Sequence, residues 1–198
     1  MAQIELKGIC KTFKVSERPE GPFGMLRGAF IRNTREVRAL SDITFKINEG
    51  ELVGYIGPNG AGKSTTVKVM SGILTPESGR CTILNRTPWR ERVAHVSKIG
   101  VVFGQRSQLW WDVPVHDSFD LLKDIYIIPS EQFTKRLNEL VETLDIAGLL
   151  KTPVRQLSLG QRMRCEIAAA LLHSPRILFL DEPTIGLDAV SKLALRDF

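Results

Sequence analysis

The sequence is poor in several features, and each shortage removes a class of function. It has no apolar run approaching the roughly 18 residues of a membrane span. Its first ten residues, MAQIELKGIC, carry an acid early and no apolar core segment, so they do not read as a secretory signal. There are only three cysteines, Cys10, Cys81 and Cys165, scattered and without a CxxC pair. That is the usage of a reduced, cytosolic protein, not of a disulfide-stapled one. No internal repeat, low-complexity tract or sustained heptad is present, and no [NT]KxD motif of the kind that reads guanine.

What is present is an ordinary globular balance. Of 198 residues, 43% are apolar and 25% charged, enough for one domain with a sizeable core or a domain plus a small subdomain. The net charge of +5 raises the question of a nucleic-acid partner. Residues 14–38 answer it. Lys14, Arg18, Arg27, Arg32, Arg35 and Arg38 stand there against Glu17, Glu20 and Glu36, a local excess of three cations. The remainder is nearly balanced, so no basic face is required and no nucleic acid is expected. The same stretch is broken by Pro19, Gly21, Pro22, Gly24 and Gly28. It reads as a solvated surface excursion, with a membrane-surface or partner-docking role as the sharper alternative.

Hydrophobic spacing divides the chain. Ile4 and Leu6 alternate with Glu5 and Lys7, and Ile43, Phe45 and Ile47 alternate likewise, which predicts half-buried antiparallel strands. ELVGYIG (51–57) and KIGVVFG (98–104) predict more buried strands. A helix is expected from Gly62 to Ser71. Asp117 or Ser118 would cap a second helix, Phe133 to Leu144 repeats at helical spacing after Pro129, and a further helix should run from Ser158 to Leu172. Pro175 precedes a strand, RILFL (176–180). The fold class is therefore α/β. A helical subdomain (115–173) is inserted into a core made of 1–114 and 174–198, with an antiparallel β-subdomain at the N-terminus.

Two motifs carry chemistry. GPNGAGKST (57–65) fits G-x-x-x-x-G-K-[ST] between an expected strand and an expected helix. Gly57, Pro58, Asn59, Gly60, Ala61 and Gly62 would form a turn whose backbone N–H groups face phosphate. Lys63 would reach the β/γ-phosphates, Ser64 would offer a hydroxyl to Mg²⁺, and Thr65 would donate to phosphate. The second motif is RILFLDE (176–182). Asp181 at a strand tip can hold Mg²⁺ through water, and Glu182 can orient or deprotonate an attacking water. Alone, this would equally be an ordinary strand and turn; beside a P-loop it reads as a site. LSLGQRMRCEIAAALLH (157–173) is by itself a capped amphipathic helix.

In order and spacing, GPNGAGKST, the glutamine of VVFGQ, LSLGQ, FLDEPT and GLD resemble the nucleotide-binding subunits of ABC transporters over essentially the whole chain. VVFGQRSQLWWD and LSLGQRMRCEIAAALLHSPRILFLDEPTIGLD are most similar to ATPase subunits of bacterial ABC-2-type drug exporters, of the viologen- and daunorubicin-resistance kind. The resemblance implies a P-loop NTPase core, ATP and Mg²⁺ as cofactors, and ATP hydrolysis in a head-to-tail dimer, with a second copy or a paralogous subunit. Separate ABC-2-type membrane permease subunits would be the transport partners. It would place the protein in the cytoplasm, held on the inner face of the plasma membrane. It implies that Phe13 stacks on adenine, where a core phenylalanine is an equal alternative. Gln105 would contact Mg²⁺ or water and sense the membrane subunit. Ser158, Gly160 and Gln161 would bind the γ-phosphate on the other protomer, and Asp188 would sit at the dimer interface. Leu159 replaces the family's commoner glycine. Trp110 and Trp111 would face the membrane subunit or pack in the core, and His173 would be a cap or surface residue.

The family carries a switch histidine on a further strand, and none of His95, His116 and His173 follows Glu182. The expectation is a cassette incomplete at the C-terminus and marginally stable by itself. Two other classes stay open: a soluble ABC-type ATPase not linked to transport, and a nucleotide-binding fragment that does not hydrolyse.

Overall fold

A strand is stable only where its N–H and C=O groups find a ladder, and the antiparallel strands of this chain find theirs close by in sequence. In the computed structural model, residues 2–16, 34–104 and 106–183 are described. They fall into two compact units, Met1–His95 and Val96–Phe198.

In the first unit, β1 (Ala2–Ser16) is central, with β2 (Thr34–Asn48) on one side and β3 (Ser78–Ile83) on the other. Both pairings are antiparallel, with Leu6 opposite Phe45 and Cys81, and Ile4 opposite Ile47 and Ile83. The alternation read from the sequence holds: Ile4, Leu6, Cys81 and Ile83 are buried on one face, while Lys7 and Lys46 lie outside and flank Glu5 at 3.0 and 2.9 Å. The expected excursion is shortened at both ends. Lys14–Ser16 pair with Thr34–Glu36 as a continuation of the β1–β2 ladder; residues 17–33 lie outside the described part. The helix α1 (Lys63–Met70) buries Thr66, Val67, Val69 and Met70 and packs against β2 and β3.

One expected strand does not form. Residues 51–57 carry no strand, and Leu52, Val53, Tyr55 and Ile56 are exposed, Leu52 and Ile56 almost completely. Apolar composition supplies a reason to bury a segment but no hydrogen-bond partner. None of the described strands pairs with this one, so the backbone stays irregular.

The short helix α2 (Arg92–Val96) leads into the second unit. There β4 (Ile99–Phe103) and β5 (Ile177–Asp181) pair in parallel, from Ile99 opposite Ile177 to Phe103 opposite Asp181. Three helices follow β4 before β5 begins: α3 (Val115–Ile125), α4 (Ser130–Thr143) and α5 (Leu159–Leu171). Helix α5 packs on β4, α3 and α4. Val102, Phe119, Leu122, Phe133, Leu137, Leu140, Ile146, Ile167 and Leu172 form their common core. Helix α3 starts earlier than expected. Pro114 stands at its N-cap, and the Val115 and His116 N–H groups donate to Thr152 and Leu150 carbonyls at 3.2 and 3.0 Å. Asp117 is left in the first turn, and Ser118, fully buried, accepts the Trp110 N–H at 3.1 Å instead of capping. Strand β5, apolar along its length, is buried only in part: Phe179 is inside, whereas Leu180 is 44% exposed.

Candidate functional site

The glycine-rich turn at 57–62 owes its shape to two left-handed residues. Gly60 takes φ +81° and Gly62 φ +86°. Gly62 is also a close approach, since a Cβ there would lie 2.5 Å from the Ala39 carbonyl oxygen and 2.7 Å from Leu40 Cδ2. Gly62 stands at the N-cap of α1, and its carbonyl accepts both the Thr66 N–H at 2.8 Å and the Thr66 hydroxyl at 3.0 Å. Ala61 N–H donates to Pro58 O at 3.2 Å. Lys63 curls back over the turn it follows, and its ammonium donates to Gly57 O at 2.8 Å and Pro58 O at 2.9 Å. The first turn of α1 contains no acid. A helix N-terminus, a ring of backbone and a lysine thus converge with no carboxylate of that turn to oppose an anion. Ser64 and Thr65 follow Lys63 in that turn, both half-buried. Phe13 lies on β1 opposite Val37, half-buried, with the Lys11 ammonium 5.8 Å from its ring centroid.

The second unit carries the acids. Asp181 closes β5, and Glu182 turns the chain with φ +53°, a left-handed value rare for a residue with a side chain. The Gly104 N–H donates to Asp181 O at 2.9 Å, so the end of β4 is fastened to the acid-bearing tip.

The start of α5 is a complete capping box. Ser158 Oγ accepts the Gln161 N–H at 3.2 Å, and Gln161 Oε1 accepts the Ser158 N–H at 2.9 Å. Gly160 is buried and Ser158 is exposed. Gln105 and Asp188 lie outside the described residues.

The segment between β4 and α3 is held by a group that belongs to none of the motifs. Glu166 on α5 is 4% exposed, and burial pushes its carboxyl above the usual carboxylate range. It accepts the Ser107 hydroxyl, and at 3.1 Å the Gln108 N–H, while Gln108 Nε2 donates to the Glu166 carbonyl at 3.1 Å. The same segment is held from two further sides, by Ser118 at Trp110 and by the Arg155 N–H donating to Trp111 O at 3.0 Å. Arg162 lies 5.6 Å over the Trp111 ring. Trp110 and Trp111 remain 42% and 51% exposed on this braced segment. A cavity of about 200 Å³ opens beside it, lined by Phe103, Arg106, Ser107, Trp111, Arg162 and Glu166 among others. The available signal was an acid at 166, three positions after Met163 and four before Ala170, the spacing of a buried helix face.

His173 also departs from expectation. It stacks on Tyr126 at 4.0 Å, nearly parallel, and its Nε2 lies 2.9 Å from Ile99 O. It ties the ends of α3 and α5 to the start of β4 instead of facing solvent.

A family model described as ABC transporter matches residues 40–185. The daunorubicin resistance ATP-binding protein DrrA3 of Streptomyces coeruleorubidus is 36% identical over 151 residues, 76% of this chain and 48% of that protein. The methionine import ATP-binding protein MetN of Geobacillus kaustophilus is 35% identical over 165 residues, 81% of this chain and 48% of that protein. The chain therefore spans about half the length of these curated relatives. Among solved structures, a dimeric ATP-binding cassette in a post-hydrolysis state with ADP and Pi superposes with a TM-score of 0.78 at 28% identity, covering 98% of this chain and 80% of that one.

Proposed function

The chain belongs to the ABC transporter family, and on that premise we propose that the whole protein is the ATP-binding and ATP-hydrolysing subunit of a drug exporter. The observation that carries the reading is the turn at 57–65, where two left-handed glycines, a helix N-terminus and the Lys63 ammonium come together within nine residues. In this reading Gly57–Thr65 bind the phosphates of ATP and Phe13 stacks on adenine. Ser158, Gly160 and Gln161 of a second copy, or of a paralogous subunit, close on the γ-phosphate, and Asp188 lies at that interface. The helical subdomain over 115–173 carries the Ser158 contact, and the core over 1–114 and 174–198 carries the rest.

Ser64, Gln105 and Asp181 offer hydroxyl, amide and carboxylate oxygens, a hard donor set that suits Mg²⁺. When bound, the metal neutralises charge on the β/γ-phosphates. Lys63 holds those phosphates in place, and Glu182 at its exposed turn orients or deprotonates the attacking water.

Among the described residues no helix is long and apolar enough to cross a membrane. In this reading ABC-2-type permease subunits are the transport partners, with this protein on the cytoplasmic face of the membrane. Trp110 and Trp111, exposed on a segment braced from three sides, are the anchors we assign to that contact. The export direction rests on the likeness of residues 101–112 and 157–188 to exporter ATPases.

In the full-length protein, Lys63→Ala should weaken Mg-ATP binding about 10- to 100-fold, the size of a lost charged hydrogen bond. Glu182→Gln should bind ATP, trap the dimer and stop hydrolysis. Normal turnover in Lys63→Ala would remove the P-loop reading, and normal turnover in Glu182→Gln would require another base.

A further inference from the structure

Gly104 is a glycine for an unusual reason. Its φ lies outside the left-handed region, so its own backbone does not call for the residue. The constraint comes from the neighbouring strand. A Cβ on Gly104 would fall on the carbonyl oxygen of Glu182, with the Glu182 carbonyl carbon at 3.2 Å and the Asp181 carbonyl oxygen at 3.4 Å. The approach is built from both sides. The β4–β5 register ends at Phe103 opposite Asp181, and the Gly104 N–H adds one more bond, to Asp181 O at 2.9 Å. The next residue on the β5 side is Glu182, held at φ +53°. A side-chain-bearing residue stays in that region when its surroundings over-determine it, and the tip of β4 is part of those surroundings.

We propose that Gly104 is a positioning residue for Glu182: the bare α-carbon at the end of β4 lets the acid-bearing turn close against it, and so sets where the Glu182 carboxylate points. This rests on the reading of Glu182 as the residue that handles the attacking water. Any side chain at 104 pushes the Glu182 backbone away, and a displacement of about 1 Å at a reacting group can lower a rate about 100-fold. Gly104 is not among the residues assigned to the phosphates, so the Kd separates a displaced Glu182 from a damaged nucleotide site.

The test is steady-state ATPase, Mg-ATP binding and thermal melting of the full-length protein carrying Gly104→Ala, Gly104→Val, Gly100→Ala or Glu182→Gln. Gly100→Ala is the packing control. On the same strand, a Cβ there would meet the Ala170 carbonyl oxygen at 2.5 Å, Leu178 Cδ1 at 3.0 Å and Pro175 Cγ at 3.2 Å. The expected result is a kcat about 10- to 100-fold lower in Gly104→Ala, and lower still in Gly104→Val, with the Kd for Mg-ATP within about twofold of the parent. Gly100→Ala should melt earlier yet keep its kcat per folded molecule. The proposal is overturned if Gly104→Ala keeps its kcat, if its Kd rises in step with the loss, or if Gly100→Ala loses kcat equally. A Gly104→Ala protein that does not fold also overturns it, because Gly104 would then be a packing glycine like Gly100. Glu182→Gln separates the layers. If it hydrolyses ATP normally, the role of Glu182 itself is wrong. If it is inactive while Gly104→Ala is active, only the positioning role falls.

Discussion

Glu166 offers the most quantitative perturbation. Its carboxylate is buried and takes the Ser107 hydroxyl and the Gln108 N–H. Truncation to Ala leaves the Ser107 hydroxyl a second acceptor, the Leu109 carbonyl at 3.1 Å, but leaves the Gln108 N–H with nothing at that position. An orphaned donor costs about 1–3 kcal/mol, and the lower half of that range applies because this hydrogen bond is only partly buried. The one lost side-chain methylene adds about 0.8 kcal/mol by the transfer scale. Removing a desolvated charge returns part of this, so Glu166→Ala should lose about 1–2 kcal/mol net. Glu166→Gln keeps the volume. Its oxygen can accept the Gln108 N–H and its amide can donate to Ser107 Oγ, so the loss should stay within about 1 kcal/mol.

The pH dependence sharpens the test. Burial raises the folded-state pKa of Glu166 above its ordinary 4.5, with the hydrogen bonds from Ser107 and Gln108 opposing. The folded protein therefore holds this proton more tightly than the unfolded chain. Stability contributed by the group rises as pH falls through the raised value toward 4.5, and the ionised carboxylate is a burden above it. Urea unfolding of parent, Glu166→Ala and Glu166→Gln at pH 7 and near pH 5 would read both effects. The parent should gain on Glu166→Gln at the lower pH. A Gln variant as unstable as the Ala variant, or a parent–Gln difference that ignores pH, would refute the account.

Two further predictions concern the scaffold. Burial lowers the pKa of His95 and of His173 below 6.5, despite the Met70 and Ile99 carbonyls that favour the charged form. Their stability contribution is complete above pH 6.5 and is lost as pH falls toward the lowered folded values, so melting temperature should drop there. His173→Phe, which keeps an aromatic ring beside Tyr126, should flatten part of that slope, and an unchanged slope would exclude His173 as a source. Ser158→Ala should destabilise by about 1 kcal/mol through loss of the cap, read by urea unfolding; an unchanged midpoint would mean that the capping box contributes nothing.

How much was legible in the sequence follows from where each interaction is made. Ser158 with Gln161 three residues later, Gly62 before Lys63, and Ile4 and Leu6 alternating with charges are local patterns, and the structure realises each of them. Residues 51–57 have the composition of a strand but form none, because a strand is a property of a pair and a single sequence shows only one member. Helix α3 was shifted because its first N–H groups are satisfied by Leu150 and Thr152, about 35 residues away. Glu166 was passed over for the same reason: its partners, Ser107 and Gln108, are almost 60 positions distant. Gly104 lay in plain sight in VVFGQ, but the reason for it is the carbonyl of Glu182, which only the β4–β5 register brings near.

The posture of Lys63 has a consequence for affinity. A free lysine side chain has about 1.5–2 kcal/mol of rotamer freedom to lose when it grips a ligand. Here two of its three protons are engaged by Gly57 and Pro58, which restricts the rotamers of the chain. On the proposed reading, the entropy of arranging the cation then belongs to folding and not to binding, which leaves the third proton for phosphate.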